Sequence, residues 1–335
     1  MSDKHVAILG AGVWGTAFAL HLARIGRNVK IWCRSPEQQE QMQNEKQHAQ
    51  LPGINLPSNI SISCDVQEVI NGAFEVICMI PSSSFGLFLE LVKPHITANQ
   101  VVMWGCKGWV KHETSIFFHE VARHRLGQET ALVAISGPTF ALELAQAKPT
   151  AVVLASDQKD IMDSVMQRFH GGNLRCYCTS SMATVQFCGV YKNILAVAAG
   201  ISDGLELGAN ARSALITRGI AEMVRIAKSM GLATEPIMGL AGQGDVILSA
   251  TSDLSRNRRL GLELGRGIDL ATIGQQDGMS TLESLNNVAM MLDIAKESGI
   301  ETPIAEGVNQ IISESMSPSG VLTSLLARDP KFEQD

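Results

Sequence analysis

Residues 5–26 read HVAILGAGVWGTAFALHLARIG, and their order decides how the first part of the chain folds. A short apolar run, Val6 to Leu9, stops at Gly10, Gly12 and Gly15 in G-x-G-x-x-G spacing, and an apolar helix pattern follows at once. That order is a strand, a glycine turn and a helix N-terminus. Gly10 permits the tight turn, Gly12 lets a phosphate approach the backbone, and Gly15 lets helix and strand pack closely. The free N–H groups and positive dipole end of the helix then suit an anion such as a dinucleotide pyrophosphate. Glycine loops also serve plain turns, so the reading rests on context: the motif opens a strand–helix–strand pattern.

The next apolar run, Val29 to Cys33, ends at Arg34-Ser35. An NAD-selective site usually carries Asp or Glu about 20 residues beyond the glycines, where it accepts hydrogen bonds from the ribose hydroxyls. A guanidinium there suits a 2′-phosphate instead, unless Arg34 is simply solvated. The expectation is NADP(H), with NAD(H) left open.

Working outward, 335 residues suffice for two domains with large cores. The chain is 45% hydrophobic and 18% charged, an ordinary globular profile. No N-terminal signal pattern is seen, and no stretch reaches roughly 20 uninterrupted apolar residues. A cytoplasmic protein without membrane insertion is expected. A net charge of −6 gives no support for nucleic-acid binding, so an anionic ligand needs local positive charge. The seven cysteines are odd in number and contain no C-x-x-C pair, which reads as reduced thiols. Cys176 and Cys178 alternate along a strand-like run with no histidine cluster beside them, so no metal site is expected.

Further apolar runs follow: Val76 to Ile80, Val101 to Trp104, Leu132 to Ile135 and Ala151 to Leu154. Their spacing predicts a doubly wound, mainly parallel sheet. Each early run ends in glycine or polar residues: Gly10, Arg34, Pro81-Ser-Ser-Ser84, Gly105-Cys-Lys-Gly108 and Ser136-Gly-Pro-Thr139. Ligands lie outside the carboxyl ends of strands in such sheets, so five such endings predict a lined cleft. Beyond residue 180 helical patterns take over, at Met182–Ala199, Ala211–Met230 and Thr281–Glu297. The fold class is therefore α/β: an N-terminal Rossmann-type doubly wound sheet over 1–180, then an all-helical C-terminal domain over 181–335. The tail from Ser313 carries serine, proline and charge, and its end reads as frayed.

Three features in the second half carry chemistry. Lys192 shares a helical face with Val185, Cys188, Leu195, Ala196 and Ala199. In such a stripe a lysine either snorkels to solvent or meets a partner in a desolvated site, where it can act as a general acid. Gly239-Leu-Ala-Gly-Gln-Gly-Asp245 leads into a helix, where Asp245 is either an N-cap or the residue that orients Lys192 or a substrate hydroxyl. Ser255-Arg-Asn-Arg-Arg259 is the densest positive cluster, either a solvated helix start or a phosphate clamp.

Taken together, Gly-Ala-Gly-x-Trp-Gly-Thr-Ala (10–17), Cys-Lys-Gly (106–108), Ser-Gly-Pro-Thr-Phe-Ala (136–141), Gly-Val-x-Lys-Asn (189–193), Gly-x-Gly-Asp (242–245) and Ser-Arg-Asn (255–257) closely resemble bacterial NAD(P)-dependent glycerol-3-phosphate dehydrogenase. The resemblance spans almost the whole chain, in order. It implies a cytoplasmic enzyme that reduces dihydroxyacetone phosphate to sn-glycerol 3-phosphate, the backbone precursor of phospholipids. Lys192 matches the family's catalytic lysine, and Asp245 is assigned beside it. Lys107, Gly137, Thr139, Ser255, Arg256 and Asn257 complete the implied substrate set. Val13, Trp14, Arg34, Lys107, Ala141 and Arg256 match cofactor positions beside Gly10, Gly12 and Gly15. Thr281 and Glu283 are carried over too, although Thr281-Leu-Glu-Ser284 stands where the family has Val-x-Glu-Gly. A homodimer is the expected assembly. A related 2-hydroxyacid or sugar-acid dehydrogenase and a non-catalytic NADP(H) sensor are the rival readings. A sensor needs neither a lysine–aspartate pair nor a second phosphate site.

Overall fold

The computed structural model describes residues 4–110, 116–275, 283–330 and 332–333. It separates into two compact units, Met1–Gly189 with Met238–Gly244, and Val190–Ile237 with Asp245–Asp335.

The first unit is built on one sheet. Its strands are β1 (His5–Leu9), β2 (Val29–Trp32), β3 (Ile60–Ser63), β4 (Ala73–Cys78), β5 (Val101–Trp104), β6 (Ala131–Ser136), β7 (Thr150–Ala155) and β8 (Leu174–Thr179). They lie in the order β3-β2-β1-β4-β5-β6-β7-β8. Every neighbouring pair is parallel except β6–β7, which is antiparallel. Between β1 and β4 the winding reverses, and this is where ligands bind in such sheets.

Both faces of the sheet are buried, which explains the continuous apolar runs. Val6, Ile8, Ile31, Ile77, Val101, Met103, Val133 and Ile135 enter one core. Their alternates Ala7, Leu9, Val76, Cys78, Val102, Trp104, Leu132 and Ala134 enter the other. There Phe85 packs 4.3 Å from Phe118 and 5.7 Å from Trp104, ring centre to ring centre. The helices of this unit are α1 (Val13–Arg24), α2 (Pro36–Glu45), α3 (Val66–Ile70), α4 (Phe85–Val92), α5 (Phe118–Leu126), α6 (Ala141–Ala145) and α7 (Lys159–Phe169). The edge strand β3 escaped the sequence reading because Ile60-Ser-Ile-Ser63 has only one buried side chain. The fourth strand also begins at Ala73 and stops at Cys78, earlier than Val76–Ile80.

Helix α8 (Met182–Gly204) begins in the first unit and continues into the second. It is long and apolar enough to cross a membrane, yet 94% of its most apolar stretch is buried in the fold. That is the burial of a core helix. The second unit adds α9 (Gly208–Ser229), α10 (Asp245–Thr251), α11 (Arg256–Gly265), α12 (Leu270–Gly274), α13 (Glu283–Glu297), α14 (Pro303–Ile312) and α15 (Pro318–Leu326). The last of these lies within the serine- and proline-bearing tail. Pro318 sits in its first turn and Ser317 accepts from the Gly320 N–H, a start signal inside a serine-rich stretch.

In the second unit α8 and α11 meet backbone to backbone. Gly200 and Gly204 on α8 face Gly261 and Gly265 on α11, each pair four residues apart. An alanine Cβ at Gly200 would lie 2.8 Å from Leu262 N, and one at Gly261 would lie 2.9 Å from Ile201 N. Only glycine admits this approach. A buried carboxylate ties further helices together: Glu222 of α9 accepts from the Tyr191 hydroxyl and from the N–H groups of Ile304 and Ala305, at 3.1 and 3.0 Å. Burial pushes the Glu222 carboxyl above its ordinary range.

Candidate active site

The glycine turn after β1 has the geometry its spacing implies. Gly10 has φ +131°, and a Cβ there would strike the Met79 carbonyl that follows β4. A Cβ at Gly15 would strike the Gly10 carbonyl, so helix and turn close only on glycine. Gly12 differs: a Cβ there would meet no protein atom within 4 Å. The space beside it is open to a ligand. Gly12 caps α1 without a side-chain hydrogen bond, and no acidic residue lies in the first turn. Its leading N–H groups lack intrahelical acceptors and favour an anion. Val13 and Trp14 are half-buried in that turn. The donor set fits a dinucleotide pyrophosphate.

Arg34 lies exposed beyond the end of β2, and Ala141 opens α6 half-buried. Thr281 falls outside the described residues. Glu283 begins α13, and its side chain also falls outside them.

At the ends of β5 and β6 the first unit brings Lys107 and Gly137 together. Lys107 Nζ donates to the Gly137 carbonyl at 3.1 Å. Gly137 has φ +118°, and a Cβ there would lie 3.2 Å from Ala151 O. Thr139, buried, donates its hydroxyl to that same Ala151 carbonyl at 3.4 Å. Gly189, from the lysine-bearing motif, makes room for Lys107: its Cβ would lie 3.3 Å from Lys107 Cβ.

In the second unit Lys192 projects from α8 to the first turn of α10. Its Nζ lies 3.5 Å from Asp245 Oδ1 and donates to Ser249 Oγ at 3.1 Å. Ser249 Oγ in turn donates to Asp245 Oδ1 at 3.4 Å. The lysine side chain is 13% exposed and the aspartate 2%, so the pair is largely desolvated. Between the two readings of Lys192, the geometry matches the partnered one. Next to Lys192, Asn193 Oδ1 accepts from Asn257 Nδ2 at 2.8 Å, which joins the lysine's helix to the start of α11.

The basic cluster divides by role. Ser255 is the N-cap of α11, accepting from the Arg258 N–H at 3.3 Å, and its hydroxyl proton can still donate. Arg258 is buried and forks onto Asp203 Oδ2 at 3.0 and 2.6 Å, with Asp253 as a further partner. That guanidinium holds the helices. Arg256 is exposed at the first position of α11.

With this geometry in place, residues 5–162 and 181–323 match the N-terminal and C-terminal models of NAD-dependent glycerol-3-phosphate dehydrogenase. A glycerol-3-phosphate dehydrogenase [NAD(P)+] of Coxiella burnetii is 41% identical over 332 residues, 98% of this chain and 99% of its own. One from Stenotrophomonas maltophilia is 39% identical over 99% of this chain and 97% of its own. A crystal structure of the Coxiella burnetii enzyme superposes with a TM-score of 0.90 over 97% of this chain and all of that one, at 40% identity. The chain belongs to the NAD-dependent glycerol-3-phosphate dehydrogenase family.

Several residues that contact these candidates escaped the sequence reading. Ser249 lies four residues after Asp245 on one helix, so it shares that face, and helical spacing alone could have flagged it. Asn193 stands beside Lys192 in a quoted motif but received no role. Asp203 carries no local signal, because its partner Arg258 is 55 residues away.

Proposed function

We propose that this chain catalyses the reversible, NAD(P)H-dependent reduction of dihydroxyacetone phosphate to sn-glycerol 3-phosphate. The observation that carries the reading is the Lys192–Asp245–Ser249 cluster, a desolvated ammonium held by two oxygens, in a chain related to glycerol-3-phosphate dehydrogenases along its whole length. In domain terms, residues 1–180 serve the dinucleotide and residues 181–335 the substrate.

Gly10, Gly12 and Gly15, with the first turn of α1, hold the pyrophosphate, Val13, Trp14 and Ala141 line the cofactor, and Thr281 and Glu283 are further cofactor contacts by their place in the sequence. Arg34 reads the adenosine ribose and favours a 2′-phosphate. When bound, the cofactor supplies the hydride that reaches C2 of the ketone. Lys192 donates its proton to the oxygen that becomes negative and stabilises that charge. Asp245 and Ser249 fix the direction of Nζ, and Asp245 accepts from a substrate hydroxyl. Arg256, Asn257 and Ser255 hold the phosphate with charge-assisted and neutral hydrogen bonds. Lys107, Gly137 and Thr139 complete the substrate contacts. Binding the phosphate away from the reacting carbon orients that carbon for transfer.

An odd count of seven cysteines with no C-x-x-C pair supports a cytoplasmic location. Leu326 and Phe332, 76% and 80% exposed on the second unit, support a homodimer, which sedimentation tests directly. The activity is tested by adding dihydroxyacetone phosphate to the protein with NADPH or NADH and following absorbance at 340 nm. The expected result is substrate-dependent loss with at least one cofactor. No loss with either, in protein that binds the cofactor, overturns the reading.

A further inference from the structure

Cys33 and Cys64 stand side by side at the carboxyl edge of the sheet. The parallel register of β2 and β3 ends with Trp32 opposite Ser63, and the Cys33 N–H extends it by donating to Ser63 O at 3.1 Å. The next residues in that register are Cys33 and Cys64. Adjacent strands lie roughly 4.8 Å apart, inside the Cα separation that a disulfide spans. The two sulfurs are 3.6 Å apart. Cys33 is 1% exposed, whereas Cys64 is half-buried and can be reached from solvent.

The pair is wired to the turn that carries Arg34. Cys33 Sγ donates to the Ser35 carbonyl at 3.2 Å. Ser35 caps α2 by accepting from the Gln38 N–H at 3.1 Å. From α2, Gln39 Oε1 accepts from the Cys64 N–H at 3.1 Å. Arg34 is thus spanned by a thiol-anchored turn, with both sulfurs on its strand side.

We propose that Cys33 and Cys64 form a dithiol–disulfide site, and that its oxidation loosens the Arg34–Ser35 turn and weakens binding of a 2′-phosphorylated dinucleotide. With hydrogen peroxide as oxidant the step balances. The Cys64 thiolate attacks one peroxide oxygen, the O–O bond breaks, and Cys64 becomes a sulfenic acid as hydroxide leaves. The Cys33 sulfur then displaces the sulfenic oxygen and forms the S–S bond. Two thiols lose two electrons and two protons, and the peroxide leaves as two waters. The reaction starts at Cys64, because burial and the neighbouring sulfur push the Cys33 thiol up. Once bonded, Cys33 has no proton to donate to Ser35 O, so the turn loses that anchor.

The site itself stands without the proposed role of Arg34; only its consequence for cofactor choice rests on that role. The test uses the full chain with Cys178→Ser, which removes the exposed thiol. After peroxide treatment, intact mass and peptide mapping under alkylation should show a loss of two hydrogens and a Cys33–Cys64 link. NADPH binding should weaken by about tenfold, near the value of one charge-assisted hydrogen bond. NADH binding should change much less, and dithiothreitol should restore both. Cys64→Ala should bind NADPH normally and resist peroxide. If both cysteines stay alkylatable, or pair elsewhere, the site is disproved. A link with unchanged NADPH affinity overturns its coupling to the turn. Arg34→Asp in reduced protein separates the two ideas: if it weakens NADPH and NADH equally, the reading of Arg34 fails while the mapped link still stands.

Discussion

The two units use glycine for opposite purposes, and the contrast shows how each positions its own candidate residues. In the first unit Gly10 and Gly15 fold a strand, a turn and a helix tightly within a dozen residues, and Gly12 leaves space where a Cβ would touch nothing. What is exposed there is the backbone itself. In the second unit Gly200, Gly204, Gly261 and Gly265 bring two distant helices into backbone contact, and no ligand surface results. What results is a fixed spacing on which side chains from remote positions meet: Lys192 reaches Ser249, 57 residues on, and Asn193 reaches Asn257, 64 residues on. One unit's candidate residues come from a local motif, and the other's from a tertiary assembly.

The strongest way to break this comparison is Lys192→Ala. With the ammonium gone, kcat should fall by at least ~10²-fold, the low end for general acid catalysis, while NADPH binding is unchanged. Turnover near that of the unchanged protein would remove Lys192 from the chemistry.

Next in size are the two kinds of glycine. Gly261→Ala places a Cβ against the backbone of α8, which cannot yield as a side-chain end can. The overpacking cost of about 1–3 kcal/mol outweighs the ~1 kcal/mol gain in helix propensity. Gly12→Ala meets no protein atom, and Gly12 has an ordinary φ of −78°. Its unfolding midpoint should stay in place, while NADPH and NADH affinity fall together by about tenfold. Denaturant titration and cofactor titration of the two variants should therefore give crossed results. Loss of stability in both, or in neither, would end the distinction.

Arg256→Ala sharpens the comparison within the second unit. Its KM for dihydroxyacetone phosphate should rise about tenfold, with a smaller loss in kcat. Dihydroxyacetone without its phosphate should be a poor substrate, hardly affected further by the change. An equal loss on both substrates would assign Arg256 to the fold or the cofactor.

The smallest effect expected is in pH dependence. In the first unit burial holds His21, His48 and His119 below their ordinary value of 6.5. The unfolded chain therefore binds more protons than the folded one in that range. Their contribution is complete above about pH 6.5 and is lost as pH falls through the folded values. Glu222 in the second unit is raised by burial, so acidification favours its folded form. Glu75 in the first unit, also raised by burial, has that same sign. Unfolding measured from pH 7.5 to 5.5 should lose less stability in His21→Asn than in the unchanged protein, and more in Glu222→Gln. Slopes that move in the same direction would contradict these assignments.

Reading the candidate site from sequence was most specific where chemistry and geometry are close in the chain. Gly10, Gly12 and Gly15 announce a phosphate turn because six residues contain the whole device. Lys192 and Asp245 could be named as candidates, yet each kept a bland alternative, a snorkelling lysine and a helix cap. Within the basic cluster nothing local separates Arg256 from Arg258. The first is exposed, while the second is buried on Asp203 and unavailable to a ligand.

By itself the sequence determined the mainly parallel sheet and the glycine turn, since continuous apolar runs and G-x-G-x-x-G spacing are properties of neighbouring residues. It also marked the change to helices after residue 180 and, through its linked motifs, the family. Only the tertiary structure decided which polar groups meet. It placed Ser249 on Lys192, Asn193 on Asn257, Arg258 on Asp203 and Cys33 beside Cys64. The physical reason is range. Helix and strand patterns follow from hydrogen bonds and burial over a few residues, whereas a desolvated ion pair forms only where packing has already brought distant backbones together. In the second unit, that packing is the approach of α8 and α11 on four glycines.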